Sequence, residues 1–349
     1  MLAELSPANF AMVMATGIVS VAAQLHGLRT VALALFGLNA AAWLALCVLN
    51  ALRLARHPAR FFGDMADHLR APGYFTAVAG TAVLAGQCLM LLSQGGELAV
   101  ALGAIATALW AALVYAIFAA FTVKAEKPAL DKGISGGWLL AVVATQSLAV
   151  LAALLAERSP GPRGEALDFV ALSLWLFGGM LYIWIISLIF YRYTFFRLLP
   201  GDLTPPYWIN MGAMAISTLA GAQLVANASA SPLLDSMRPF LKGFTVLYWA
   251  TGTWWIPMLL VLGVWRYVYK RHPLRYDPLY WGAVFPLGMY SAGTHRMAEV
   301  LSLDFLAFLG PLFLAAALAA WAATFCGLAG RLLRPLRSRS MRKAGANHQ

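Results

Sequence analysis

The segment Pro7-Ala8-Asn9-Phe10-Ala11-Met12-Val13-Met14-Ala15-Thr16-Gly17 places an aromatic residue in a Pro-containing turn, opens a long apolar run, and then turns small and weakly polar. The pattern returns four times: Ala71-Pro72-Gly73-Tyr74 leading to Gly80-Thr81, Gly136-Gly137-Trp138 to Thr145, Pro205-Pro206-Tyr207-Trp208 to Ser217, and Tyr280-Trp281 to Ser291. Between Phe10, Tyr74, Trp138, Trp208 and Trp281 the steps are 64, 64, 70 and 73 residues, room for two membrane spans with their loops. This spacing predicts an array of five helical hairpins.

The bulk composition agrees. The chain is 61% hydrophobic and only 11% charged, and several runs reach the roughly 20 apolar residues that cross a bilayer. Runs rich in Leu and Ala, rather than alternating segments of about ten residues, predict helices and not barrel strands. Ten spans follow, at about 7–26, 30–53, 72–93, 97–123, 134–156, 166–192, 205–228, 240–266, 279–295 and 304–331. One transmembrane domain is expected over 1–335, with a basic tail at 336–349. Helices 6, 8 and 10 run on into basic ends at Arg192, Arg266 and Arg331, which are expected to project into the cytoplasm.

Charge sets the expected orientation. Loops after helices 2, 4, 6 and 8 plus the tail hold 19 of the 25 Lys and Arg, and the opposite loops hold 6. The richer side is expected to be cytoplasmic, with both termini there. The net charge of +11 sits at membrane borders, so anionic lipid rather than nucleic acid is the expected partner. No basic leader precedes the first span, which is expected to stay as a helix. Cys47, Cys88 and Cys326 fall within spans without a CxxC pair and read as packing residues.

Odd-numbered helices are rich in Gly, Ala, Ser and Thr, and even ones in Leu and bulky aromatics. Small side chains permit close approach around an axis, so the odd helices are expected inside and the even ones against lipid. Neither class carries Lys, Arg, Asp or Glu near its middle. Coupling-ion sites and proton relays ordinarily need such residues. An uncharged path with basic mouths favours passive anion movement.

Phe10-Ala11-Met12-Val13-Met14-Ala15-Thr16-Gly17-Ile18 and Tyr280-Trp281-Gly282-Ala283-Val284-Phe285-Pro286 resemble the tellurite-resistance and dicarboxylate transporter family, which includes the slow-type anion channels of plant guard cells. The resemblance covers about residues 5 to 330. It implies an all-α integral membrane fold of ten helices as five hairpins with quasi-fivefold symmetry, an inner pore of odd helices, and homotrimers in which each subunit has its own pore. It also implies that Phe285 occludes the pore, beside a kink at Pro286. Inner helices of the family are often kinked by Pro. Here helices 1, 3, 5 and 7 have Pro only at their starts or not at all, whereas Pro257 and Pro311 interrupt outer helices 8 and 10.

Thr16, Thr81, Thr145 and Ser217 lie about two turns into their helices and form a candidate hydroxyl belt lining the pore, together with Gly17, Gly80 and Ser291. The alternative for the hydroxyls is bonding to helix backbone. Gln24, Gln87, Gln146 and Gln223 recur on the inner helices, either lining the pore or tying helices together. His295, Arg296 and Glu299 are candidates for an outer vestibule or proton sensing, although Arg296 and Glu299 are also spaced for a salt bridge. Residues 55–71 mix aromatic and charged side chains and are expected along the cytoplasmic membrane surface. The remaining histidines lack metal-ligand spacing, and no catalytic constellation or cofactor motif appears, so neither an enzyme nor a metal site is expected. The expected function is a small-anion channel in a bacterial inner membrane, gated by Phe285. The alternative is a proton-coupled transporter of C4-dicarboxylate or sulfite, with His295, Glu299 and Asp304 as protonation sites.

Overall fold

The computed structural model describes residues 2–274 and 277–346, with side chains through Arg331. The expected tail at 336–349 therefore lies outside the described side chains, and its last three residues lie outside the description altogether. The described chain is helical, with ten long helices: α1 (Ala11–Leu25), α2 (Arg29–Arg56), α3 (Phe75–Leu91), α4 (Gly96–Val123), α5 (Leu140–Glu157), α6 (Pro162–Phe195), α7 (Ile209–Asn227), α8 (Arg238–Val264), α9 (Trp281–Leu301) and α10 (Leu309–Ala346). Among the described residues nine helices are long and apolar enough to cross a membrane. The tenth, α9, has 21 residues and is less apolar because its last turns carry His295, Arg296 and Glu299.

The odd helices close a ring in which α1 packs on α3, α3 on α5, α5 on α7, α7 on α9 and α9 back on α1. Each even helix packs on the odd helix before it and also touches the odd helix after it, so it covers one seam of the ring. Burial separates the two classes: the spans built on α1, α3, α5 and α7 are 72–94% buried, and those of the even helices 17–44%.

Each inner helix begins with a 3-10 turn: Pro7–Phe10, Ala71–Tyr74, Gly136–Leu139, Pro205–Trp208 and Pro278–Tyr280. These turns are the Pro- and Gly-rich motifs of the sequence. Proline suits a first helical turn, where its missing N–H has no partner to lose and its φ is already set. Ser6, Ser135 and Asp277 cap three of the turns by accepting the N–H of Ala8, Gly137 and Leu279.

Glycines in the ring mark close helix crossings. A Cβ on Gly212 would lie 2.7 Å from Pro286 Cγ, and one on Gly17 would lie 2.6 Å from Val83. Pro286 sits inside α9 without ending it, and its ring packs on Gly212 of α7. Of the prolines expected to interrupt outer helices, Pro257 lies inside a continuous α8, whereas Pro311 is the third residue of α10 and so belongs to its start.

Candidate functional site

The ring encloses a lumen with two cavities, each lined by all five inner helices or the turns that open them. Toward the C-terminal ends of the inner helices lies a cavity of about 370 Å³, walled by Ile18, Val83, Val150, Ile216, Leu219 and Met289. Its polar groups are few: Ser147 and Gln223 on the wall, with Glu157, Arg158 and Arg296 among its lining. Toward the N-terminal ends lies a second cavity of about 440 Å³, with Ala11, Thr76, Leu140, Ile209 and Gly282 on the five inner helices and Arg70, Lys132 and Arg192 among its polar lining.

On α9 the two cavities are lined by Gly282 and Met289. Phe285 lies three residues from the first and four from the second, on the same helix face and at the level between the cavities, and it is fully buried. On α3 Gly80 lies between Thr76 and Val83 in the chain and packs against Val13 of α1. Pro286, one residue on, contacts α7.

The expected hydroxyl belt stands elsewhere. Trp321 donates its indole N–H to Thr16 (3.0 Å), Trp43 to Thr81 (2.9 Å) and Trp110 to Thr145 (2.9 Å), each from an outer helix. Two more bonds complete the series, Trp249 to the Thr294 hydroxyl (3.0 Å) and Trp175 to the Ser217 carbonyl (2.8 Å). The Ser217 hydroxyl donates to its own helix at Ala213, and Ser291 donates to the Gly310 carbonyl at the start of α10. Thr16, Thr81, Thr145, Ser217 and Ser291 thus occupy the back of the ring and not its lumen, because depth along a helix does not fix azimuth. Gly17 is likewise taken up by the seam with Val83, Asn39 and Gln87. None of the seven residues expected to line the pore is among those lining either cavity. The five tryptophans, 43, 110, 175, 249 and 321, recur at steps of 67, 65, 74 and 72 residues, a signal present in the sequence beside the aromatic markers.

The glutamines divide between the two expected roles. Gln87 accepts from Asn39 (2.7 Å), and Gln146 donates to the Trp175 carbonyl (3.0 Å), so both tie helices together. Gln223 lines the C-terminal cavity and donates to Glu157 (2.8 Å).

At the C-terminal mouth Arg296 lines the cavity and pairs with Glu299 at 2.7 Å. The ring of His295 meets that of His26 edge-on, with centroids 4.6 Å apart. Because Ser291 donates to Gly310, its oxygen accepts from His26 Nε2 (3.1 Å). Burial, and then the neighbouring His295, hold the His26 imidazole below its ordinary pKa.

At the opposite end the basic tips of the outer helices are folded in. Arg53 is buried between Asp64 and the Tyr74 hydroxyl. Arg192 reaches the Tyr207 hydroxyl and the Asp131 carbonyl, and Arg266 donates to the Leu203 carbonyl. Arg192 and Arg266 were expected to project outward. Instead they are 6% and 9% exposed, because each finds acceptors in the segments that lead into inner helices α5 and α7. Burial opposes ionisation of Asp64, but hydrogen bonds from Arg70 and Arg53 outweigh it and hold the carboxyl below the usual range. Between these groups the helix Pro58–Met65 leaves Phe62 exposed.

A five-helix lumen wrapped by five lipid-facing helices, with mouths carrying charge and walls without it, defines a polytopic membrane protein of the channel and transporter class. Residues 4–329 match the family model described as SLAC1, voltage-dependent anion channel, and the chain belongs to that family. It is 41% identical over 148 residues to an uncharacterized membrane protein of Mycobacterium tuberculosis, covering 42% of this chain and 75% of that one. Two uncharacterized transporters of Methanocaldococcus jannaschii are each 25% identical, over 309 and 312 residues, covering 86–87% of either chain.

Proposed function

We propose that this protein conducts small anions passively through the lumen of each chain, with Phe285 occluding the path. The observation that carries the proposal is the division of one lumen into two cavities, with Phe285 on the α9 face that lines both and at the level between them. Membership of an anion-channel family supports the substrate class. The wall supports the mechanism: aliphatic side chains hold an anion weakly, so it leaves as readily as it enters, while basic groups at both mouths raise its local concentration.

The working assembly is a homotrimer of independently conducting chains. It sits in a bacterial inner membrane with anionic lipid around its basic face, and both termini are cytoplasmic. The N-terminal cavity then opens to the cytoplasm.

Currents from the purified protein in planar bilayers test this. Phe285→Ala should raise anion current by more than about tenfold, with reversal at the anion potential. Absence of current, together with labelled dicarboxylate uptake that requires a proton gradient, would replace conduction by coupled transport.

A further inference from the structure

The cavity at the N-terminal ends of the inner helices contains a buried cation whose counter-charge, Asp202, stands at 3.6 Å without a hydrogen bond to it. Three basic residues, Arg70, Lys132 and Arg192, and two acidic ones, Asp131 and Asp202, contribute to its lining. Arg70 is occupied by Asp64, through both Nε (2.7 Å) and Nη2 (2.9 Å). Lys132 is exposed, with Asp131 at 3.8 Å. Arg192 differs from both, because its side chain is only 7% exposed.

A guanidinium has five N–H donors. In Arg192, Nε donates to the Asp131 carbonyl at 3.0 Å and Nη1 to the Tyr207 hydroxyl. Among the described residues no other hydrogen bond is made. The Asp202 carboxylate stands 3.6 Å from Nη2, beyond bonding distance, and one of its oxygens already accepts the Leu199 N–H at 3.0 Å. Its loop thus holds Asp202 as a partial counter-charge, leaving the Nη2 edge without a close acceptor. Because Arg192 lines the cavity, acceptors of a bound anion can reach those donors.

We propose that Arg192 is the recognition site of the N-terminal vestibule and that it binds carboxylate anions through the planar fork of its guanidinium. The proposal deepens the anion-conduction reading and rests on it for the role of the lumen. Two parallel N–H donors match two carboxylate oxygens, a geometry that a spherical halide cannot use and a lysine ammonium cannot supply. The 440 Å³ cavity accommodates a small organic acid. Arg192 thereby favours carboxylates over chloride at this mouth, whereas the aliphatic C-terminal cavity makes no such distinction.

Thermal melting of the full-length protein in detergent, titrated with malate or chloride, measures binding without requiring flux. Malate should raise the melting temperature of the native protein at lower concentration than chloride does. In Arg192→Lys the apparent malate affinity should fall by about tenfold or more, with the chloride response unchanged. Asp202→Asn removes the competing carboxylate and keeps Arg192 intact, so it should bind malate more tightly. Arg238→Gln, which removes a cation from the opposite face, should behave as native. Equal malate affinity in native protein and Arg192→Lys overturns the proposal. Should the lysine variant not fold, unchanged or weaker binding by Asp202→Asn does the same. Bilayer currents without any malate response would sink the Arg192 site alone, whereas a malate response without currents would sink conduction alone.

Discussion

Each inner helix presents one face to the lumen and another to the outer helices, and the two differ in chemistry. The luminal face of α5 carries Leu140, Ser147, Val150 and Leu154, which touch a cavity. The back face, two residues from Ser147, carries Thr145, whose oxygen accepts from Trp110 and whose proton goes to the Ala141 carbonyl. The same division holds in α1, where Ile18 faces the cavity and Thr16 faces Trp321. Polar groups in this bundle thus serve mainly as interhelical ties, and the path is left mostly apolar. In hydrocarbon an unpaired indole N–H or hydroxyl is costly, and pairing the two at each seam removes both costs.

Substitutions at matched depth separate the two faces. The largest effect should come from Ile216→Trp, which puts bulk into the C-terminal cavity. In a Phe285→Ala background it should cut anion current by about tenfold or more, and undiminished current would mean that this cavity is not on the path. Next is Gly212→Val, where the new Cβ meets Pro286. It should lower stability by about 1–3 kcal/mol in thermal melts, as overpacking does. Smaller again is Thr145→Val, which leaves the Trp110 N–H unpaired. About 1 kcal/mol of stability should be lost, with ion selectivity unchanged. A change in selectivity would show that the back face communicates with the lumen.

The smallest effect concerns the C-terminal mouth. His26 is held below its ordinary pKa in the folded state, so its neutral form contributes stability above about pH 6.5 that is lost as pH falls. Melting temperature should therefore decline between about pH 7.5 and 5.5, and His26→Gln should flatten that decline. Equal slopes in both proteins would remove His26 from the titration.

Much of the architecture was legible from pattern. Aromatic markers at steps of 64 to 73 residues located the five inner helices, and the contrast of small against bulky residues placed the odd helices inside. The candidate belt was less legible. Thr16, Thr81, Thr145 and Ser217 share a depth, and equal depth at a regular period resembles a ring around a pore as much as a ring of seams behind it. Their partners are four tryptophans, 35 to 42 residues away on the preceding outer helix or, for Thr16, 305 residues away. Pairing them requires knowing that each outer helix covers the seam to the next inner helix. Arg192 was hidden for a related reason. A basic residue at a helix end ordinarily reaches water, and its burial depends on Tyr207 and a backbone carbonyl at Asp131 lying within reach.

The sequence by itself determined that the chain is a bundle of apolar helices, how many there are, which of them lie inside, and that no fixed charge stands midway along them. Those properties follow from composition and period, because hydrocarbon forces the backbone to satisfy itself within each span. Only the tertiary structure decided which face of each inner helix meets the lumen, that one lumen forms two cavities with Phe285 at the level between them, and which arginine keeps free donors beside one of them. Those properties depend on helix rotation and on contacts between residues far apart in the chain, which local patterning leaves open.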